Sequence, residues 1–462
     1  MTPPPVPGLA EASREIAAGH LSPGDLLDAT LARIQALDPA LHAFIEITGD
    51  RARTAARKAE QEIHDGVARG PLHGIPYGLK DLYDAAGLRT TCHSRVLLQN
   101  MAMTDSDATT KLDGAGMMLM GKLSTHEFAI GAPNPDLPFP CACNPWNVEH
   151  FAGGSSSGSG AAVASGMLPL AMGTDTGGSI RLPAAYTGIV GLKPTYGRLS
   201  RFGVVPLAFS MDHAGPLTRT VEDCALAMQA LAGYDPRDPG SADIPVPDYL
   251  AELKAGVKGL RIGYARAFNA EAGVDAEESA ALDAAAEVLR GLGAEVEEVV
   301  LPSRARFNAA GWTVIQSESF AVHARDLRTR PHDYARTTRE RILLGAFVTG
   351  QEYVQAQRLR RVIALEVDRL LQDYDALIVA PFTGAAPKLT AVEHTPLRRD
   401  QPLTVLQNVT GHPALCQPCG MSANGLPLSL QLMGRQFGEA GLMRIAYAYE
   451  QAAGWHEKRP PV

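Results

Sequence analysis

Apolar positions along this chain follow two rhythms, and the change between them divides it. Near the N-terminus Leu26, Thr30, Ile34 and Leu37 recur at three- and four-residue intervals, the spacing that gathers side chains on one helical face. Ser22 is placed to cap that helix, Pro23 fits its first position, Asp25 suits its positive end, and Asp38-Pro39 predicts its stop. A second helix, rich in Ala, Arg and Glu, is predicted over about 50–64. Residues 1–70 are therefore expected to form a helical segment packed on a main body of 71–462.

From about Leu72 to Thr220 glycines become dense and apolar runs become short. Met117–Met120 and Met167–Met172 predict buried strands, and Ala161–Ser165 a small-residue helix. Leu260–Tyr264 predicts another strand. The helix after it opens at Asp275, with Glu278 three residues on in a capping-box pattern, carries Leu282, Ala285 and Leu289, and stops at Gly291–Gly293. Val296, Val299 and Val300 complete a β-α-β unit. Residues 305–373 read as mostly helical and polar, a cover over one side of a sheet. Ala376–Ala380 and Leu428–Leu432 return to the sheet, and Met443–Ala452 is a final helix. Asp235–Pro247, rich in Pro and Asp, reads as a surface loop.

Composition narrows the function. The chain has 462 residues, 45% of them hydrophobic, which is ample for one large α/β core. The net charge is −8 and the basic residues are scattered, against a nucleic-acid footprint; Arg358, Arg360 and Arg361 read as a solvated helix face. The N-terminus lacks the basic start and apolar run of a secretion signal, and the apolar stretch 161–172 is interrupted by Gly166 and Pro169. A cytoplasmic protein with no membrane contact is expected. Six cysteines are too few for a disulfide scaffold. Cys141-Ala142-Cys143 is too tight for a zinc knuckle and Cys416-Gln417-Pro418-Cys419 is a single unmatched CxxC, so these read as small buried residues and no metal is expected.

The chemistry concentrates in two glycine-serine segments and one lysine. Ser179 closes Gly173-Thr174-Asp175-Thr176-Gly177-Gly178-Ser179, Ser155 lies 24 positions earlier in Gly153-Gly154-Ser155-Ser156-Ser157-Gly158-Ser159-Gly160, and Lys80 lies 75 positions before that. A serine hydroxyl is a poor nucleophile until a base takes its proton, and a lysine serves as that base when burial leaves it neutral. Thr176, Gly177 and Gly178, with the Ser179 N–H, offer backbone donors for an oxyanion. Taken singly, each segment reads by default as a turn. Gly153–Gly160 lacks the Gly-Lys-Ser/Thr ending of a phosphate loop, and Gly158-Ser159-Gly160 is only a fragment of a nucleophile elbow. His73, His126, His213 and His412 are available for a Ser-His pair, but no motif surrounds them. Asp175 and Arg181 are expected to form a buried bracing pair, and Ser156, Ser157 and Ser159 to brace their loop.

Together these segments resemble the amidase signature family. The resemblance runs from about Ser22 to Glu450 and is densest over Gly153–Thr195, including Ile180-Arg181-Leu182-Pro183 and Gly188-Ile189-Val190-Gly191-Leu192-Lys193-Pro194-Thr195. Gly74-Ile75-Pro76 leading to Lys80-Asp81, Asn408–Pro413 and Gly425-Leu426-Pro427 also match. It implies an α/β fold whose mixed central sheet is covered by helices on both faces. It also implies Ser179 as acyl-forming nucleophile, Ser155 as a bridging serine preceded by a cis bond, Lys80 as base, and Ala129 and Ile130 bordering the acyl pocket. The expected activity is hydrolysis of a small-molecule amide, or of an ester or carbamate, through an acyl-enzyme, with no cofactor; a homodimer is left open. Two alternatives stand beside it. One is the A subunit of a tRNA-dependent amidotransferase, which Arg341–Arg361 with Gln355-Ala356-Gln357 resembles, although that subunit's paired tyrosines are reduced here to Tyr353. The other is a non-catalytic scaffold of the same fold. Phe128, Pro138 and Phe139, with the 305–373 cover, are expected to shape the pocket.

Overall fold

Eleven strands, none longer than eight residues, build one mixed sheet in this computed structural model, which describes residues 2–392 and 403–462. In chain order the strands are β1 (Phe44–Ile47), β2 (Pro76–Lys80), β3 (Met118–Leu123), the separate hairpin β4 (Cys143–Asn144) and β5 (Asn147–Phe151), β6 (Leu170–Asp175), β7 (Val190–Lys193), β8 (His213–Thr218), β9 (Arg261–Tyr264), β10 (Glu295–Glu298), β11 (Ala376–Val379), β12 (Ala414–Met421) and β13 (Pro427–Gly434). The sheet runs β1-β3-β2-β6-β8-β7-β12-β13-β11-β9-β10. Its parallel pairs are β3/β2, β2/β6, β11/β9 and β9/β10; the rest are antiparallel. The central strands β2, β3, β6, β7 and β8 are buried at every position, as expected of a sheet flanked by helices.

The helices are α1 (Leu9–Ala17), α2 (Pro23–Leu41), α3 (Gly49–His64), α4 (Asp107–Gly114), α5 (Ser157–Ala164), α6 (Arg181–Thr187), α7 (Val221–Leu231), α8 (Arg266–Glu271), α9 (Ala276–Gly291), α10 (Arg304–Thr329), α11 (Arg336–Leu343), α12 (Gly350–Asp373), α13 (Val405–Thr410) and α14 (Glu439–Ala453). Ser22 caps α2 by accepting the Asp25 N–H, and Leu26, Thr30, Ile34 and Leu37 are on its buried face. The helix runs through Pro39 to Leu41, past the predicted stop; His42 closes it in the left-handed conformation and the Asp38 carboxylate accepts the N–H groups of Ala43 and Phe44. The N-terminal segment is not wholly helical, because β1 pairs with β3 at the sheet edge.

Four further differences matter. The strand predicted at Met167–Met172 starts only at Leu170, after the Gly166–Pro169 turn, and continues to Asp175, so Gly173, Thr174 and Asp175 of the glycine-rich motif are strand. The CxxC segment lies within β12, an interior strand that its Gln417 and Pro418 hide from pattern reading; Pro418 is tolerated at a register shift. Its free thiols Cys416 and Cys419 are buried. At α9, Asp275 caps Glu278 N–H, but the Glu278 side chain turns inward to Ser429 N–H instead of closing a capping box. Arg358 and Arg361 are exposed, whereas Arg360 folds inward onto the Val409 and Ser210 carbonyls. Among the described residues no helix is long and apolar enough to cross a membrane.

Candidate active site

β2 and β6 are parallel neighbours, with Leu79 beside Met172, so Lys80 ends its strand next to the last residues of β6. Ligand sites in such sheets lie beyond the carboxyl ends of the strands. Lys80 is fully buried there, and its Nζ donates to Ser155 Oγ at 2.7 Å and to Thr174 Oγ1 at 2.8 Å. Burial lowers its pKa from 10.5 to about 7, with the Asp175 and Asp212 carboxylates opposing the shift. Ser155 sits in the turn entering α5, where the Gly154–Ser155 peptide is cis. Ser156 Oγ donates to the Thr174 carbonyl and Ser159 Oγ to the Met172 carbonyl, fastening this serine-rich turn to β6.

Asp175 shapes the loop that carries Ser179. Its carboxylate accepts the N–H groups of Gly178 at 2.8 Å and Ile180 at 3.1 Å, and receives Arg181 Nε and Nη2 at 3.0 Å each. Arg181 Nη1 donates to Gln407 and Gln431 at 2.8 Å, and Nη2 is shared with Asn408 Oδ1 at 2.7 Å and the Thr404 carbonyl. Burial alone would raise the Asp175 pKa; the guanidinium outweighs it and holds the carboxyl well below its ordinary range. Gly178 adopts φ +129°, and a Cβ there would collide with the Thr404 hydroxyl.

Ser155, Ser179, Thr176, Gly177, Ala129 and Ile130 line one cavity of about 720 Å³. Lys80 lies beneath that surface. Of the proposed oxyanion donors, the Gly178 N–H is already committed to Asp175; among the described residues no hydrogen bond holds those of Thr176, Gly177 and Ser179. Nor, among those residues, does a hydrogen bond join Ser155 Oγ to Ser179 Oγ, so the first link of the expected relay is made and the second is open. Three of the four candidate histidines lie outside the cavity, and the fourth, His126, is part of its lining. His73 contacts Glu62, His412 faces Asp368, His213 Nδ1 bonds the Met211 carbonyl, and the His126 ring stacks on Phe151. His126 meets Ser155 through its backbone, its N–H donating to the Ser155 carbonyl at 3.0 Å.

The sequence named the wrong aromatics for the cavity. Phe128 packs on His323 and Tyr334, Phe139 lies against His93, and neither they nor Pro138 line the cavity. Its aromatic wall is Phe151, Tyr186, Phe382 and Trp312, drawn from four distant parts of the chain. The cover does contribute, through α10 and through Arg341 of α11. Thr174 was also missed as a lysine partner, because its position in the motif reads as strand end. Tyr353 is outside the cavity, donating to Glu318.

A mixed α/β sheet with a buried lysine-serine pair at its strand ends defines a class of enzyme-like folds, and comparison specifies it. The Amidase family model matches residues 25–443, and the chain belongs to the amidase signature family. The A subunit of a glutamyl-tRNA(Gln) amidotransferase, from Lysinibacillus sphaericus, is 41% identical over 97% of each chain. Among solved structures, an inhibitor-bound complex described as revealing the evolutionary origins of an s-triazine catabolic enzyme superposes with a TM-score of 0.90 at 34% identity, covering 97% of this chain and 99% of that one. A bacterial aryl acylamidase gives 0.88 at 28% identity, with 98% of both chains covered.

Proposed function

We propose that this protein cleaves amide C–N bonds through an acyl-enzyme on Ser179, with Ser155 relaying the proton to neutral Lys80. The observation that carries the reading is the fully buried Lys80, with a pKa of about 7 and 2.7 Å from Ser155. A neutral amine there takes the Ser155 proton as Ser155 takes that of Ser179; the Ser179 oxygen adds to the substrate carbonyl. The N–H groups of Thr176, Gly177 and Ser179 receive the oxyanion. On collapse the proton returns through Ser155 to the leaving nitrogen, and water clears the ester by the same route.

The relatives favour one of the two settings for this chemistry. Identity of 41% over nearly the whole of an amidotransferase A subunit supports the reading that the amide cleaved is that of glutamine, with ammonia passed to partner subunits. A stand-alone hydrolase of other small amides is supported by the aromatic wall and by the placement of Tyr353 outside the cavity. Both need the same three residues. The test is a panel of anilides, aliphatic amides, carbamates and glutamine, with Ser179→Ala as blank and affinity purification for partner subunits. Glutaminase activity with co-purifying subunits selects the first setting, and turnover of anilides or aliphatic amides alone selects the second. Undiminished activity in Ser179→Ala rejects the nucleophile.

A further inference from the structure

We infer that Asp212 is a positioning residue for the relay: it fixes Thr176 beside the oxyanion and supplies the negative charge that Lys80 faces when it takes up a proton. The inference deepens the proposed amide cleavage and rests on it. Asp212 immediately precedes β8, whose first residue, His213, pairs with Asp175 at the end of β6. One step beyond that pair the antiparallel register brings Asp212 opposite Thr176, and the Thr176 hydroxyl donates to Asp212 Oδ1 at 2.6 Å. The carboxylate also accepts the N–H groups of Leu207 at 2.9 Å and Ala208 at 3.0 Å. Thr176 and Leu207 line the cavity that contains Ser179, while Asp212 lies behind them, on a second cavity of about 440 Å³. One carboxylate thus clamps two residues of the wall, and Thr176 carries one of the N–H groups left for the oxyanion.

Its charge needs a partner as well. Buried charges are ordinarily paired, and Asp175 follows that rule through Arg181. Asp212 is buried too, yet among the described residues no ion pair holds its carboxylate. Arg201 and Tyr196 face it, but the Arg201 guanidinium pairs with Asp238 at 2.8 Å and meets Asp212 at its backbone carbonyl, and the Tyr196 hydroxyl donates to the Phe209 carbonyl. The groups facing Lys80 are Asp175, Asp212 and Cys92. Burial pushes the Cys92 thiol up, so it is uncharged, and the Asp175 charge is already offset by a guanidinium. Asp212 is therefore the carboxylate facing the lysine that has no cation of its own. Neutral Lys80 leaves it unmatched; the ammonium formed as Ser155 and Ser179 pass on their protons matches it. An attraction that exists only once the proton has moved favours the transition state over the resting enzyme.

A serine-directed fluorophosphonate tests this without a known substrate, because phosphonylation of Ser179 uses the same relay and the same donors. The second-order labelling rate is followed from about pH 6 to 9. Asp212→Asn is expected to lower the plateau rate about tenfold and to move the midpoint of the acid limb down by about half a pH unit or more, since Lys80 loses an anion that favours its charged form. Thr176→Val breaks the tether and leaves the charge, so its plateau should fall about tenfold with the midpoint within about 0.2 pH unit of wild type, and Thr176→Ser should restore most of that loss. Thermal melting of each variant checks that it is folded. A purely structural role would lower the Asp212→Asn plateau and leave its midpoint in place. A midpoint that stays or rises overturns the inference, as does a Thr176→Val plateau within about twofold of wild type or a Thr176→Ser protein no faster than Thr176→Val. If Asp212→Asn does not fold, the two Thr176 variants decide by the same criteria. Failure of the nucleophile reading is separate, appearing as equal labelling of wild type and Ser179→Ala.

Discussion

Lys80 is where bulk pH should act on this protein, and the structure fixes both sign and size. Its pKa falls from 10.5 to about 7 on burial. At pH 7.5 about three quarters of such a lysine is neutral, against roughly one in a thousand for an unburied one, a gain of nearly 10³ in the active form. The expected profile of kcat/KM loses a factor of about ten per pH unit below 7 and flattens above about 8. The same shift has a signature in stability. The folded state holds the lysine neutral where the unfolded chain holds it charged, so the unfolded state binds more protons between about pH 7 and 10.5. Stability should therefore rise with pH across that window, by up to about 1.4 kcal/mol per unit relative to a Lys80→Met protein, and the difference should level off below it. Urea denaturation of both proteins at pH 6, 7, 8 and 9 measures this, alongside initial rates on an amide substrate. A rate limb centred near 10, or equal pH slopes in the two proteins, would refute a neutral lysine at this site.

Other substitutions probe the frame around that residue. Thr174→Val removes a hydrogen-bond acceptor that favours the charged lysine, so the acid limb of the rate profile should move to lower pH, with Tm little changed. Arg181→Leu strands Asp175 and the Gln407, Gln431 and Asn408 amides in the core; a loss of about 3–5 kcal/mol is expected by urea unfolding, and a loss under 1 kcal/mol would deny the pair its bracing role. Gly178→Ala forces a Cβ into Thr404 at φ +129° and should abolish labelling of Ser179 by a serine-directed fluorophosphonate, while far-ultraviolet circular dichroism stays native.

Much of this was legible from the chain because the informative signals are local. Helix α2 declared itself through its Ser22 cap and its Leu26-Thr30-Ile34-Leu37 stripe, and the β9–α9–β10 unit through its alternating periods and the Asp275 cap. The lysine and the two serines stood out because glycines surround the serines and because the family pattern extends across the whole chain. Strand β12 stayed hidden because its Gln417 is polar and its Pro418 breaks the ladder; the structure pairs Gln431 of the neighbouring β13 with Arg181, which no local pattern encodes.

What the sequence determined by itself was the family, the candidate residues for its chemistry and most of the periodic segments that become helix or strand, since propensity, capping and motif spacing act over a few residues. Only the tertiary structure decided the electrostatic state of that chemistry. Lys80 becomes a candidate base through the depth at which β2 and β6 bury it. Gly178 drops out as a free donor because Asp175 takes its N–H. The cavity wall is Phe151, Tyr186, Trp312 and Phe382 because packing, not order along the chain, sets which side chains meet. Desolvation and cavity shape are properties of the packed whole, and they come into being only when segments far apart in sequence are pressed together.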